Sequence, residues 1–334
     1  MKIDVLVPTY NREQLLRRAV ASLLAAEVPE GLEATVTVVD NNSTDGTRRA
    51  VEELRAGANG ARLRYIFEPR QGKSHALNSG IAASGADLVG VIDDDEEVDA
   101  RWFAVVREAF ADPSVDFIGG PYVPRWGAEV PAWLPEEYPA VIGKVDCGEN
   151  VVPYGAEFPG MLMGGNCVVR REVLRRVGPY STDVGRIGTG MLCGEDEDMY
   201  RRLLAAGARG HYRPDLVIHH FVPPERLTRR YFRRWCFWRG ASSGMLDRAR
   251  PEPVTYLLGV PRYLYGRAAR GLAGALTGAV SGANPARVFA SELAIWDLAG
   301  FFYGKHFRRT SARQNGAVTE TTTAEQGAAA RARH

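Results

Sequence analysis

Cysteine is scarce and scattered. The 334 residues hold four, Cys147, Cys167, Cys193 and Cys236, with no CxxC spacing. That argues against a zinc site and a disulfide scaffold, and it suits a reducing cytosol. Long apolar runs are also missing. The longest uncharged stretch, residues 271–286, is too short and too rich in Gly, Ser and Asn to span a bilayer. The first residues lack a basic segment followed by an apolar one, so no secretory signal is expected. Net charge is only +2, so the chain as a whole has no bias toward polyanions, and no nucleic-acid partner is expected. No internal repeat stands out. Hydrophobic content of 45% and charged content of 25% are ordinary for a globular protein.

What is present is a concentration of acid. Asp93-Asp94-Asp95 follow the apolar run Leu88-Val89-Gly90-Val91-Ile92. Three carboxylates at the end of a buried strand repel one another and favour protonation. A divalent cation, Mn²⁺ or Mg²⁺, keeps them ionised and takes its other ligands from water and substrate phosphates. The triplet therefore points to a metal–diphosphate site. The plainer alternative is an acidic loop capping the helix that begins near Asp99.

The first 120 residues alternate between strand and helix periods. Strands are expected over 3–7, 35–39, 63–67 and 88–92, and helices over 13–25, 45–55, 73–83 and 100–111. Such alternation predicts an α/β fold with a mostly parallel central sheet flanked by helices. Ligands in these sheets bind beyond the carboxyl ends of the strands. Pro8-Thr9-Tyr10-Asn11, Asp40-Asn41-Asn42 and the Asp triplet all sit at such ends and should converge on one crevice. Residues 120–160 are rich in Pro, Trp and Tyr, which reads equally as a rigid surface loop or as sugar-stacking aromatics. A strand at 167–169, helices at 171–177 and 195–206, and an extended segment to His220 follow.

Four segments in order, Val7-Pro8-Thr9-Tyr10-Asn11-Arg12, Val38-Val39-Asp40-Asn41-Asn42-Ser43-Thr44-Asp45-Gly46-Thr47, Asp93-Asp94-Asp95 and Gly194-Glu195-Asp196-Glu197-Asp198, resemble the inverting family-2 glycosyltransferases of the GT-A fold. The likeness runs from residue 3 to about 240. It implies a Rossmann-like domain over 1–222. It also implies a nucleotide-sugar donor, most simply a UDP-sugar, and a hydroxyl acceptor on a glycan, glycolipid or small aglycone. Pro8, Thr9 and Tyr10 would line the nucleotide pocket and Asp40 would meet base or ribose. Asp93 would reach the ribose or a metal-bound water, Asp94 the donor sugar, and Asp95 the metal directly. Lys73, like Arg70, would balance phosphate charge. The general base falls on Asp196, with Glu195 the alternative. His219 or His220, with His220 favoured, would supply a third metal ligand. Gly164-Gly165-Asn166 would border the donor sugar. Gly188, Gly190 and Gly194 suit a loop that closes over donor.

From residue 225 to 250 there are eight arginines and only two acids. Arg229, Arg230, Arg233 and Arg234 interleave with Tyr231, Phe232, Trp235, Phe237 and Trp238. This reads as a basic amphipathic helix facing anionic lipid, within a helical extension over 223–309. A diphosphate clamp and a solvated helix face are its alternatives. The expected location is cytoplasmic, peripheral on the inner face of the membrane. Residues 310–334 read as a disordered tail. A sugar-phosphate nucleotidyltransferase is the first rival, although it needs a Gly-rich basic loop where Pro8-Thr9-Tyr10-Asn11 stand. A catalytically silent sugar-binding protein is the second.

Overall fold

A computed structural model of the protein describes residues 1–57, 59–183, 188, 190–249 and 251–308. The expected tail at 310–334 lies outside them, as do positions 184–187 and 189.

The first half alternates as its periodicity requires. β1 (Lys2–Thr9), α1 (Glu13–Ala25), β2 (Glu33–Asp40), α2 (Thr47–Ala56), β3 (Leu63–Phe67), α3 (Lys73–Ala83) and β4 (Leu88–Ile92) follow in turn. The four strands pair in parallel in the order β3-β2-β1-β4. Successive strand side chains point to opposite faces. Val5 and Val7 pack with Leu16 and Val20 of α1, while Leu6 between them packs with Leu77 of α3. The sheet is thus covered on both sides. β1 lies between β2 and β4, so the winding reverses there and opens a crevice beyond the strand ends.

The second half is less regular. It comprises β5 (Glu96–Val98), α4 (Trp102–Ala109), β6 (Phe117–Gly119), β7 (Tyr122–Trp126), β8 (Val152–Pro153), β9 (Asn166–Arg170), α5 (Arg171–Val177), α6 (Glu195–Ala205), β10 (Gly210–Tyr212) and β11 (Ile218–Val222). β9 runs antiparallel to both β4 and β6, so the eight-stranded sheet is mostly but not wholly parallel. A smaller sheet, β5-β11-β7, stands beside it. The aromatics of 120–160 divide. Tyr154 stacks on Phe117, Trp133 meets Phe232 and Phe289 edge-on, and Tyr138 is buried. Trp126 remains exposed. Most of this excursion is therefore packing rather than free stacking surface.

The chain continues through α7 (Arg229–Ala249), the short hairpin β12 (Tyr256–Leu257) and β13 (Val260–Pro261), α8 (Arg262–Ser281) and α9 (Pro285–His306). Here the expectation of a lipid-facing basic helix needs correction. α7 begins at the first of the four closely spaced arginines, Arg229, and runs to Ala249. Its Phe232 and Cys236 are fully buried. Arg233 pairs with Glu292 at 2.6 Å and Arg239 with Asp297 at 2.9 Å. The cause is α9, which supplies both acids and a close surface. Gly240 and Gly244 of α7 lie on backbone of α9, and Gly300 and Gly304 of α9 lie on backbone of α7. Small residues four apart on both helices let the backbones touch. No described helix is long and apolar enough to cross a membrane.

Gly300→Ala tests this crossing. In an isolated helix alanine would gain up to about 1 kcal/mol over glycine. Here its Cβ would overlap the Phe237 carbonyl, and overpacking against backbone costs about 1–3 kcal/mol or more. The variant is expected to unfold at lower temperature in a thermal melt, and an unchanged or higher midpoint would contradict the close crossing.

Candidate active site

Strand register assembles the site. β1 and β4 pair with Leu6 opposite Val91, which brings the end of β1 to the Asp triplet. Thr9 Oγ1 donates to Asp94 at 2.8 Å. β4 and β9 pair with Ile92 opposite Asn166, so Gly164 and Gly165 lie beside the acids that follow β4. β5 pairs with β11, placing Glu96 opposite His220. Alternation along β11 turns the buried His220 toward the cluster, while His219 falls on the other face.

Three cations engage the run Asp93–Glu96 among the described residues. Arg12 contacts Asp94 at 2.9 Å and Asp95 at 3.1 Å. Lys73 reaches Asp93 at 2.8 Å, and Arg226 donates to Asp95 at 2.9 Å. Burial opposes ionisation of Asp95, yet His220, Arg226 and Arg12 outweigh it and hold its pKa well below the carboxylate range. Burial pushes Asp94 up to about 6, with Asp95 adding to the rise and Arg12 opposing it. Burial, then Asp93 and Asp95, drive Glu96 well above its usual value. The Glu96 carboxylate also accepts from the Asp93 amide at 2.8 Å.

The donor set fits a hard divalent cation. Asp93, Asp95 and Glu96 each offer an oxygen within 4.8 Å of the others, and carboxylates suit Mg²⁺ or Mn²⁺. His220 Nδ1 faces the Ile142 carbonyl at 3.1 Å, while Nε2 faces Arg226 at 2.9 Å. With Nδ1 donating to the carbonyl, Nε2 is aimed at the site, where the protonated ring pairs with Asp95 and the neutral ring offers a lone pair of the kind metal-binding histidines use. Arg226 bridges His220 and Asp95, so its guanidinium supplies there the positive charge that a metal ion would bring. The imidazole packs so closely on Gly143 that a Cβ at that position would overlap it.

The second acidic element meets the first across two glycines. A Cβ on Gly164 would overlap the Asp196 carboxylate, and one on Gly165 would overlap that of Glu96. The close backbone approach expected of this pair is therefore present. Asp196 stands in the first turn of α6, where the helix dipole favours an anion. The buried Glu195 carboxylate accepts from the Gly194 amide at 3.0 Å. Burial works against the Lys73 ammonium, but Asp93, then Asp196 and Glu195, hold its pKa above the usual lysine range. Lys73 thus lies between the two acidic elements.

The remaining expected residues occupy the other side of the crevice. Asp40 ends β2, two strands from the triplet. Its oxygens accept from Tyr65 at 2.8 Å and the Ser43 amide at 2.9 Å. Pro8 is buried in β1 and Tyr10 is half-buried beyond it. Gly188 lies beside Tyr10 and Gln71, just beyond the ends of β1 and β3. The exposed Arg70 pairs with the buried Glu68 at 2.8 Å. Asn78 holds the Tyr180 backbone in both directions, and Gly80 packs α3 against Leu6.

Sequence reasoning passed over Glu96, Arg12 and Arg226 as site residues. Glu96 continues the acidic run, and only its pairing to β11 distinguishes it. Arg12 stands within the first motif. Arg226 lies 131 positions from Asp95, and no local pattern announces that contact.

The chain belongs to glycosyl transferase family 2, whose sequence profile matches residues 4–178. It is a glycosyltransferase of GT-A type, which sets aside the nucleotidyltransferase alternative. It is similar to glucosyl-dolichyl phosphate glucuronosyltransferase of Haloferax volcanii, 28% identical over 256 residues that cover 75% of this chain and 79% of the relative. Succinoglycan biosynthesis protein ExoM of Rhizobium meliloti is 27% identical over 248 residues, 74% of this chain and 75% of the relative. The fold resembles mannosyltransferase PcManGT from Pyrobaculum calidifontis in complex with GDP-Man and Mn²⁺, with TM-score 0.61 and 22% identity over 92% of this chain and 88% of that one.

The Asp94 shift has a definite sign. Its folded pKa of about 6 exceeds the ordinary aspartate value of 3.8, so the folded state binds the proton more tightly. The stability this contributes is present below pH 3.8 and is lost as pH rises to about 6, up to about 3 kcal/mol in all. In EDTA, Asp94→Asn should gain thermal stability relative to wild type as pH rises from 4 to 6.5. A difference independent of pH would contradict the burial account.

Proposed function

We propose that the protein transfers one sugar from a nucleotide-sugar donor to an acceptor hydroxyl, with inversion, in a single displacement. The observation that carries this reading is the glycine pair, with the Asp196 carboxylate against Gly164 and that of Glu96 against Gly165. Two acidic elements with separate tasks flank one short backbone segment.

In this reading Asp93, Asp95 and Glu96 hold Mn²⁺ or Mg²⁺, with His220 joining once Arg226 swings away. The bound cation would supply Lewis acidity to the leaving diphosphate. Lys73 offers a further positive charge to the phosphates. Thr9 fixes Asp94 beside the donor sugar. Pro8, Tyr10 and Asp40 border the nucleotide, with Asp40 keeping lone pairs for base or ribose beyond the two bonds it already accepts. Asp196 takes the acceptor proton as the acceptor oxygen forms its bond to the anomeric carbon. The bond from that carbon to the diphosphate breaks, and its electron pair leaves with the nucleotide. Glu195 is the alternative base, but its bond to the Gly194 amide favours a role in shaping the start of α6.

A UDP-sugar is the first donor to test. A GDP-sugar is the second, because the PcManGT complex holds GDP-Man. The relatives' names, one for a dolichyl phosphate glycoside and one for succinoglycan biosynthesis, support an acceptor that is a lipid-linked glycan or growing polysaccharide. Residues 1–222 would carry donor chemistry, and 223–309 would support the loop ahead of Asp196. The Cys193 amide donates to Ser242 of α7 at 3.0 Å, in keeping with that support.

A panel of nucleotide sugars with Mn²⁺, assayed for transfer or slow donor hydrolysis, tests the reading. With the active donor, Asp196→Asn should lower kcat about 10²–10⁴-fold and leave nucleotide affinity within about twofold. Normal turnover in that variant would refute Asp196 as base. Wild-type protein inactive with every donor would favour the silent sugar-binding alternative.

A further inference from the structure

α8 has two contrasting faces. Gly271, Gly274 and Gly278 press it onto Ser291 and Val288 of α9. On the opposite face Leu272, Leu276 and Val280 stand four residues apart, 50%, 61% and 91% exposed. Ala269 and Ala273 fill the surface among them and are exposed too. Helical spacing makes this one continuous apolar stripe. It ends at the turn through Gly282, where φ is positive and Asn284 caps α9.

The charge around the stripe has one sign. Residues 253–291 contain no Asp or Glu and four arginines, Arg262, Arg267, Arg270 and Arg287. Arg267 faces Asp297 at 3.5 Å, and the other three are exposed. Arg229 adds a cation at the tip, where it lines a hollow with Gly278, Gly282 and Pro285. The next acid, Glu292, is already paired with Arg233.

We infer that the outer face of α8 lies on an anionic lipid bilayer, with Leu272, Leu276 and Val280 inserted among the acyl chains and the arginines at the headgroups. An interfacial helix combines an exposed apolar stripe with flanking cations and needs no spanning length. A second copy of the chain is the poorer occupant. A two-fold contact through this face would set arginine against arginine. The surface is thus α8 rather than the basic helix α7, whose aromatics are buried (Phe232) or half-buried against neighbouring elements. The inference stands apart from the proposed donor chemistry and is read without any transfer assay.

The test is cosedimentation of the full chain with phosphatidylglycerol-containing vesicles and with phosphatidylcholine vesicles. Wild type should partition onto the anionic vesicles on the order of 10-fold more strongly than onto the neutral ones. Combining Leu272→Ser, Leu276→Ser and Val280→Ser should reduce anionic-vesicle partitioning on the order of 10-fold or more. These side chains are exposed, so the thermal midpoint should stay unchanged. Combining Arg262→Gln, Arg270→Gln and Arg287→Gln should remove the preference for anionic lipid. Equal partitioning of the apolar variant and wild type would overturn the inference. So would a wild-type dimer in light scattering that the apolar variant converts to monomer without any vesicle binding. Active transfer with no vesicle binding would overturn the inference and leave the proposed function standing.

Discussion

The structure turns on the crowding of four consecutive carboxyl groups at the end of β4, with Asp94, Asp95 and Glu96 buried and Asp93 half-buried. Anions out of water are costly unless paired. Arg12 from the end of β1, Lys73 from the start of α3 and Arg226 from beyond β11 converge to meet that demand. Each comes from a different part of the chain. The acids therefore organise the fold around themselves as much as the fold presents them. Charge balance is incomplete even so, and burial together with the neighbouring acids raises the pKa of Glu96 and of Asp94.

The supporting contacts have the same logic. Asn41 accepts from the Gly72 amide and donates to the Arg70 carbonyl, fixing the turn that delivers Lys73. Asn166 accepts from Trp102 and donates to Pro121 and Leu216, fixing the start of β9 just after the two glycines. Buried amides that are fully bonded hold a unique geometry, and losing a partner leaves a costly unsatisfied group. The glycines then do what no other residue can. They let two carboxylates from distant segments lie against the same short stretch of backbone.

Much of this was legible from residues alone. α1 and α3 occupy the expected 13–25 and 73–83, because apolar spacing and the flanking breakers are local signals. α2 starts at Thr47 rather than 45, since Asp45 is used as acceptor for the Thr47 amide ahead of the first turn. Strand-end convergence followed from the α/β alternation. The antiparallel insertion of β9 did not, because short apolar runs carry no direction. Arg226 and Glu96 were hidden because their importance arises from contacts between segments far apart in the chain. α7 misled because its basic and aromatic pattern suits lipid and protein equally. Only the glycines shared with α9 decide between them, and their four-residue spacing was readable in both segments.

The central claim is that the acids after β4, only partly balanced by arginine and lysine, accept a divalent cation together with a nucleoside diphosphate. Titration of the wild-type chain with Mn²⁺, followed by electron paramagnetic resonance with and without saturating UDP or GDP, measures this directly. Linked binding at one site requires each ligand to tighten the other. One of the two nucleotides should strengthen Mn²⁺ binding by about 10-fold or more, equivalent to ~1.4 kcal/mol. Mn²⁺ affinity that is the same with either nucleotide as without would contradict the account.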